Sequence, residues 1–260
     1  MKLSSDFESI CYNRNYLDKV IFRIDFLTEI SHEVINSTNV IKSIMKNFPV
    51  NEKDRIVYEN KYKVKLKKAE SELAQEQAYE IVEKVFTDSE KGKRLTFSSR
   101  YLIVEIFDYN VFDLLLSYVE EILKNIDSNI VVSRMGLRYI NNYEFKEKQL
   151  FNFQKYFNKK LLSFRFIEEL DEKILAKRAI NIQEYIFNNN NLRFQYGLYN
   201  PDFPATIKKK AFVLDYDCYY QNIIEDKNII LPKFKELHYL IQYFFEKSIT
   251  DKMKDEMNQE

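Results

Sequence analysis

At 260 residues, with 45% hydrophobic and 31% charged side chains, the chain can bury a core as one large domain or two small ones. Forty basic side chains balance forty acidic ones, and neither half is a basic arm or an acidic tail. That argues against a duplex-DNA binder working by phosphate neutralisation.

The three glycines, Gly92, Gly136 and Gly197, are too scattered for a phosphate-cradling loop. Cys11 and Cys218 form no CxxC, which argues against a zinc cluster or a disulfide framework and fits a reducing, cytoplasmic compartment. No apolar run approaches ~20 residues, so no membrane span is expected. The polar stretch Met1 to Cys11 carries no signal-peptide core.

In chain order, residues 1–15 read as a ragged leader. Leu17 to Leu27 alternates Val20, Phe22, Ile24 and Phe26 against Ile21, Arg23 and Asp25, the pattern of a strand with one apolar face. Ser31 to Phe48 has helical spacing, weakened by Asn36, Ser37 and Asn39 and stopped by Pro49. Asp54 to Lys67 alternates again. Leu73 to Thr87 begins like a helix and ends like a strand; it is assigned as a strand paired back on the one before. A turn around Gly92 precedes strands at Arg94–Ser98 and Tyr101–Tyr109. Asn110 is expected to cap a helix from Val111 to Ile126 with a stripe of Phe112, Leu115, Leu116, Val119, Ile122 and Leu123.

The order then starts again. Asn129 to Tyr143 is a strand centred on Gly136–Asn141, and Leu150 to Asn158 a short helix with an aromatic face. Strands follow at Leu162–Leu175, Ala179–Phe187, Leu192–Tyr199 and Ala211–Gln221, with the Asn188–Asn191 run as a turn. A last helix runs from Pro232 to Ser248, and Asp251 to Glu260 is a charged tail expected to fray.

Each half thus reads β-α-β-β-β-β-α, the first over residues 1–128 and the second over 129–260. Phe22-Arg23-Ile24 parallels Leu137-Arg138-Tyr139, and Phe112-x-x-Leu115 parallels Phe234-x-x-Leu237. The fold expected is α+β, two tandem modules forming one broad antiparallel sheet with long helices on one face. This order of elements resembles the duplicated TATA-binding-protein-like fold, a topological likeness that says little about function.

Three further segments carry a family resemblance: Gly136-Leu137-Arg138-Tyr139-Ile140-Asn141, Phe212-Val213-Leu214-Asp215-Tyr216-Asp217, and Leu237-His238 with Phe245-Glu246-x-x-Ile249-Thr250. On these the chain resembles a sporadically distributed, uncharacterised bacterial family of about this length. The resemblance implies a bacterial, cytoplasmic protein whose scattered distribution would suit mobile or defence-linked genes. It carries over no catalytic residue and no cofactor.

Asp215-x-Asp217 is the strongest candidate for metal or acid–base chemistry, because residues two apart on a strand point the same way. Glu105 is the third acid considered. The plainer reading has both aspartates facing solvent, with Leu214, Tyr216 and Cys218 inward. His238 suits a general base, or a helix-flank histidine satisfied by a carboxylate or by Gln242. His32 reads as a surface residue. Arg23 and Arg138 occupy matching places in the two halves. They either bind an anion together or each pair with a neighbouring carboxylate such as Glu105 or Asp215.

Nineteen tyrosines and 21 phenylalanines invite a base-stacking reading for Tyr139, Phe164, Phe166, Tyr196, Tyr199 and Tyr219, against core packing for most of them. Lys208-Lys209-Lys210 reads as a solvated loop. The balance favours a non-enzymatic binding or sensing module. It would recognise a partner protein or a small anionic ligand on its sheet through Arg23, Arg138, Tyr139, Asn141, Asp215, Asp217 and Tyr219. The alternatives are a metal-assisted enzyme on a phosphate-containing substrate and a single-strand nucleic-acid binder. Oligomeric state is left open.

Overall fold

A computed structural model describes residues 10–67, 70–126, 129–144, 153–165, 176–200, 202–205 and 211–258. The architecture is α+β, built on a ten-stranded sheet in which every neighbouring pair is antiparallel. The strands are β1 (Leu17–Phe26), β2 (Val50–Asn51), β3 (Arg55–Lys67), β4 (Glu70–Thr87), β5 (Lys93–Phe97), β6 (Tyr101–Ile106), β7 (Val132–Glu144), β8 (Ala179–Phe187), β9 (Asn190–Tyr199) and β10 (Ala211–Tyr220). Their order across the sheet is β2-β4-β5-β6-β1-β7-β10-β9-β8, with β3 paired to β4 in a hairpin.

β1 and β7 therefore meet at the middle. From each of them the sheet runs outward through the half's last strand and back along its meander: β1-β6-β5-β4 on one side, β7-β10-β9-β8 on the other. Phe22 lies opposite Leu137, and from that pair the two triplets that are alike in sequence run in opposite directions, so Arg23 faces Gly136 and Arg138 faces Ile21. The sequence expectation of a fourth strand in the second half is corrected over Leu162–Arg165, which form a 3-10 turn with Lys159–Leu161. The rest of that expected strand, Phe166 in it and Lys208-Lys209-Lys210 lie outside the described residues.

The helices are α1 (His32–Ile35), α2 (Thr38–Met45), α3 (Phe112–Asn125), α4 (Phe153–Tyr156), α5 (Ile230–Ser248) and α6 (Asp251–Asn258). The single helix expected over Ser31–Phe48 is two. Ser31 and Ser37 each accept from the backbone N–H three residues on (3.4 Å), so Asn36-Ser37 ends one helix and caps the next. Asn110 does not cap α3; Val111 holds the cap position without a side-chain bond. Pro232 lies inside the first turn of α5, which begins at Ile230. Asn188 and Asn189 adopt positive φ in the two-residue β8–β9 turn, the left-handed geometry such a tight hairpin needs.

One connected apolar core runs through both halves. Val20, Phe22 and Ile24 of β1, Leu137 of β7 and Phe212, Tyr216 and Cys218 of β10 supply the sheet side, alternating along each strand. The long helices close over it. The Phe234 ring of α5 sits 4.0 Å from Phe22 and 5.0 Å from Phe112 of α3. A helix of the second half thus packs on a strand and a helix of the first. No described helix is long and apolar enough to cross a membrane.

Candidate functional site

Period-two alternation divides the expected site residues between two faces. Arg23, Arg138, Asp215, Asp217 and Tyr219 come together on the face of β1, β7 and β10 opposite the buried aromatic side chains. Tyr139 and Asn141, one residue either side of Ile140, point the other way and are buried under the helices. The sequence grouping of all seven as one surface is corrected to that extent.

On the outer face the register lines up Glu105, Ile21, Arg138, Asp217 and Arg193 in one row across five strands. Ile103, Arg23, Gly136, Tyr219 and Asn191 form the next. Arg138 makes a bidentate ion pair with Asp215, Nε and Nη2 donating at 2.8 and 2.7 Å. The Asp215 side chain is 7% exposed and that of Arg138 is 40% exposed. This pairing is the plainer of the two roles weighed for Arg138, and it holds the guanidinium above its ordinary pKa. Arg23 pairs with Asp25 two residues along its own strand, Nε to Oδ1 2.7 Å, and lies over the Tyr101 ring at 4.9 Å.

A third arginine, not singled out from the sequence, completes the array. Arg134 reaches Asp25 at 3.6 Å and Asp217 at 4.0 Å, and its guanidinium lies 4.9 Å from the Tyr219 ring. It does so by lying across Gly136: a Cβ there would meet the Arg134 guanidinium at 3.3–3.6 Å. Arg134-x-Gly136-x-Arg138 was the readable signal, two cations on one face of a strand with a space between them. Burial raises the Asp217 carboxyl pKa, against the lowering pull of Arg134 and Arg138.

This arrangement does not assemble the acidic trio. Asp215 is occupied by Arg138. Glu105 pairs with Lys19 (3.0 Å) and Arg94 (3.6 Å) and lies three strands from Asp217, roughly 14 Å at the usual strand spacing. No cluster of three or more His, Cys, Asp or Glu among the described residues is arranged to hold a metal ion. Of the aromatics considered for stacking, Tyr139 and Tyr196 are buried, while Tyr199 is exposed.

The helix side holds a second feature, a cavity of about 380 Å³ between the chain at Ile10–Leu17, the start of α3, β7 and α5. Tyr139 and His238 both line it. His238 Nδ1 is 3.1 Å from the Tyr139 hydroxyl, which is 2.8 Å from that of Tyr109. The imidazole is stacked on Phe112, ring centroids 3.9 Å apart at 2°. The partner of His238 is thus a buried phenol, neither a carboxylate nor Gln242. Burial lowers its pKa from the ordinary 6.5 to about 4, so the ring is neutral at pH 7. Tyr109 is pushed up to about 12 by the same desolvation. Glu246, also at the cavity, accepts from the Tyr12 hydroxyl (2.6 Å) and pairs with Lys254 (3.0 Å). His32 is exposed at the start of α1, as expected.

No protein-family model matches this chain. No curated protein matches it either.

Proposed function

We propose that the protein is a binding module that recognises a partner protein on the sheet face around β1, β7 and β10. One observation carries this reading: Arg23, Arg134 and Arg138 are each fixed in place by a carboxylate or ring of the same sheet and remain partly exposed. A guanidinium has more N–H donors than one carboxylate takes up, so each arginine keeps donors for a partner. Side chains already held in one rotamer lose little entropy on binding. Arginines alternate with Asp25, Asp215 and Asp217, so the surface presents both signs. That suits the mixed charge of a protein surface better than a polyanion or a small anion. The family resemblance would set such a module among mobile or defence-linked bacterial genes.

The test is native mass spectrometry of the full chain purified from its own host, as wild type and as Arg23→Ala/Arg134→Ala. A protein retained at fixed stoichiometry by the wild type and lost from a variant of equal melting temperature is the expected result. The same partner retained unchanged by the variant counts against this face.

A second reading, ligand sensing, is favoured by the helix-side cavity and its Tyr109–Tyr139–His238 chain, because a mostly apolar pocket with a few placed polar groups is the usual form of a small-molecule site. In the same experiment a retained small molecule, released by His238→Phe, would mark it. A cavity empty in both proteins would dismiss it.

A further inference from the structure

The sheet has two very different ends. On the β3 side, the outermost long strand carries Arg55, Lys61, Lys63, Lys65 and Lys67 in its 13 residues, and β2 is two residues long. Lysine-rich and very short edge strands are the usual guards against pairing with another chain. β8, which ends the sheet on the other side, has neither guard. Its sequence AINIQEYIF contains no proline, no lysine or arginine, and one charge, Glu184. It runs against β9 in unbroken register, so no bulge bends it away. Among the described residues the backbone groups along its outer side have no hydrogen-bond partner. Ile182 is 51% exposed and Ile186 79%.

We propose that two copies of this chain pair β8 with β8 in an antiparallel register centred on Gln183, joining their sheets. That register pairs all nine residues. On the outer face Ile180 lies against Ile186 of the second copy, and Ile182 against its Glu184, each contact made twice by symmetry. On the helix face Asn181 meets Tyr185 of the second copy, and Gln183 meets its own mate. Moving the centre to residue 184 sets Glu184 against itself. Moving it to residue 182 sets Ile186 against Arg178 of the second copy. A half-step between residues turns one copy's helices to the opposite face, because neighbours across a strand pair point the same way. With the centre at Gln183 all nine residues pair, no like charges meet and Ile180 lies against Ile186 twice, which favours a second copy as the occupant. An apolar cleft of about 270 Å³ between Tyr185, Phe187, Leu240 and Phe244 continues the edge on the helix side.

Sedimentation of the full chain at micromolar concentration tests the pairing. The expected mass is twice 31.5 kDa for the wild type and half of that for Ile182→Lys/Ile186→Lys, whose circular dichroism stays that of the wild type because both isoleucines are exposed in the single chain. In a Cys11→Ser background, Gln183→Cys cross-links quantitatively to its own mate under mild oxidation, since directly opposed residues fall within disulfide reach, and Ile182→Cys does not. A monomeric wild type overturns the proposal, as does a dimer that survives both lysines. Cross-linking through Ile182→Cys and not Gln183→Cys overturns the register. None of these outcomes bears on the arginine face, which a monomer would present equally well.

Discussion

At the scale of single residues, the arginine pair weighed from the sequence splits into two unequal ion pairs. Arg138 is held to a carboxylate almost sealed from water, whereas Arg23 and Asp25 sit in a more solvated place. Removing Arg138 strands a buried charge; removing Arg23 leaves a hydrated one. We expect Arg138→Ala to cost about 3 kcal/mol in urea unfolding and Arg23→Ala less than about 1 kcal/mol. Equal costs would mean that water reaches Asp215. His238 sets an acid dependence. Its folded pKa of about 4 lies below the ordinary 6.5 of an unfolded histidine, so between these values the unfolded chain binds more protons. Stability from this group is fully present above 6.5 and is lost as pH falls towards 4, a change on the order of 3 kcal/mol. His238→Phe should flatten that part of the stability–pH curve. An unchanged slope would assign it to other groups.

At the scale of elements, the charged tail expected to fray is the helix α6 over Asp251–Asn258, for a reason that lies outside its own sequence. Asp251-Lys-Met-Lys-Asp-Glu-Met-Asn has almost no hydrophobic content beyond its two methionines, and local pattern alone says it frays. In the fold Met253 and Met257, four apart and so on one side of α6, are both buried. The helix is also tied by its polar residues. Glu256 accepts from the hydroxyls of Tyr16 (3.0 Å) and Tyr143 (2.9 Å), and the Met257 carbonyl accepts from the Arg14 N–H (2.9 Å). Met253→Ala and Met257→Ala should each cost about 2 kcal/mol in chemical denaturation, the usual loss for a buried methionine. Changes within ~0.5 kcal/mol would show α6 to be a loosely attached tail after all.

At the scale of the whole molecule, the two halves share too much to be read as independent. β1 and β7 pair along most of their length, and the Phe234 ring joins α5 to β1 and α3. Cutting at residue 128 exposes both central strands and opens the core between them. We expect residues 1–128 or 129–260 expressed alone to show no cooperative thermal transition, and the two pieces mixed to regain one. A sharp transition in either piece alone would make the halves separate domains.

Alternation along β1, β7 and β10 is visible in the amino-acid order, because side-chain direction in a strand follows from the backbone alone. From it came most of the strands and the same-side placement of Asp215 and Asp217; the long helices came from apolar side chains spaced three and four apart, and the two patterns together gave the α+β class. Most polar partners were not visible: Asp215 stood beside Glu105 as a possible carboxylate for Arg138, and nothing in the amino-acid order chose between them. Arg138 met Asp215 through β7–β10 register, Arg134 found its place over Gly136 between Asp25 and Asp217, and His238 met Tyr139 across the core. These are contacts between residues far apart in the chain, set by how strands line up and helices close over them. Only the tertiary structure decided which of the expected site residues share a surface, and that the carboxylate nearest the metal reading was already taken by an arginine.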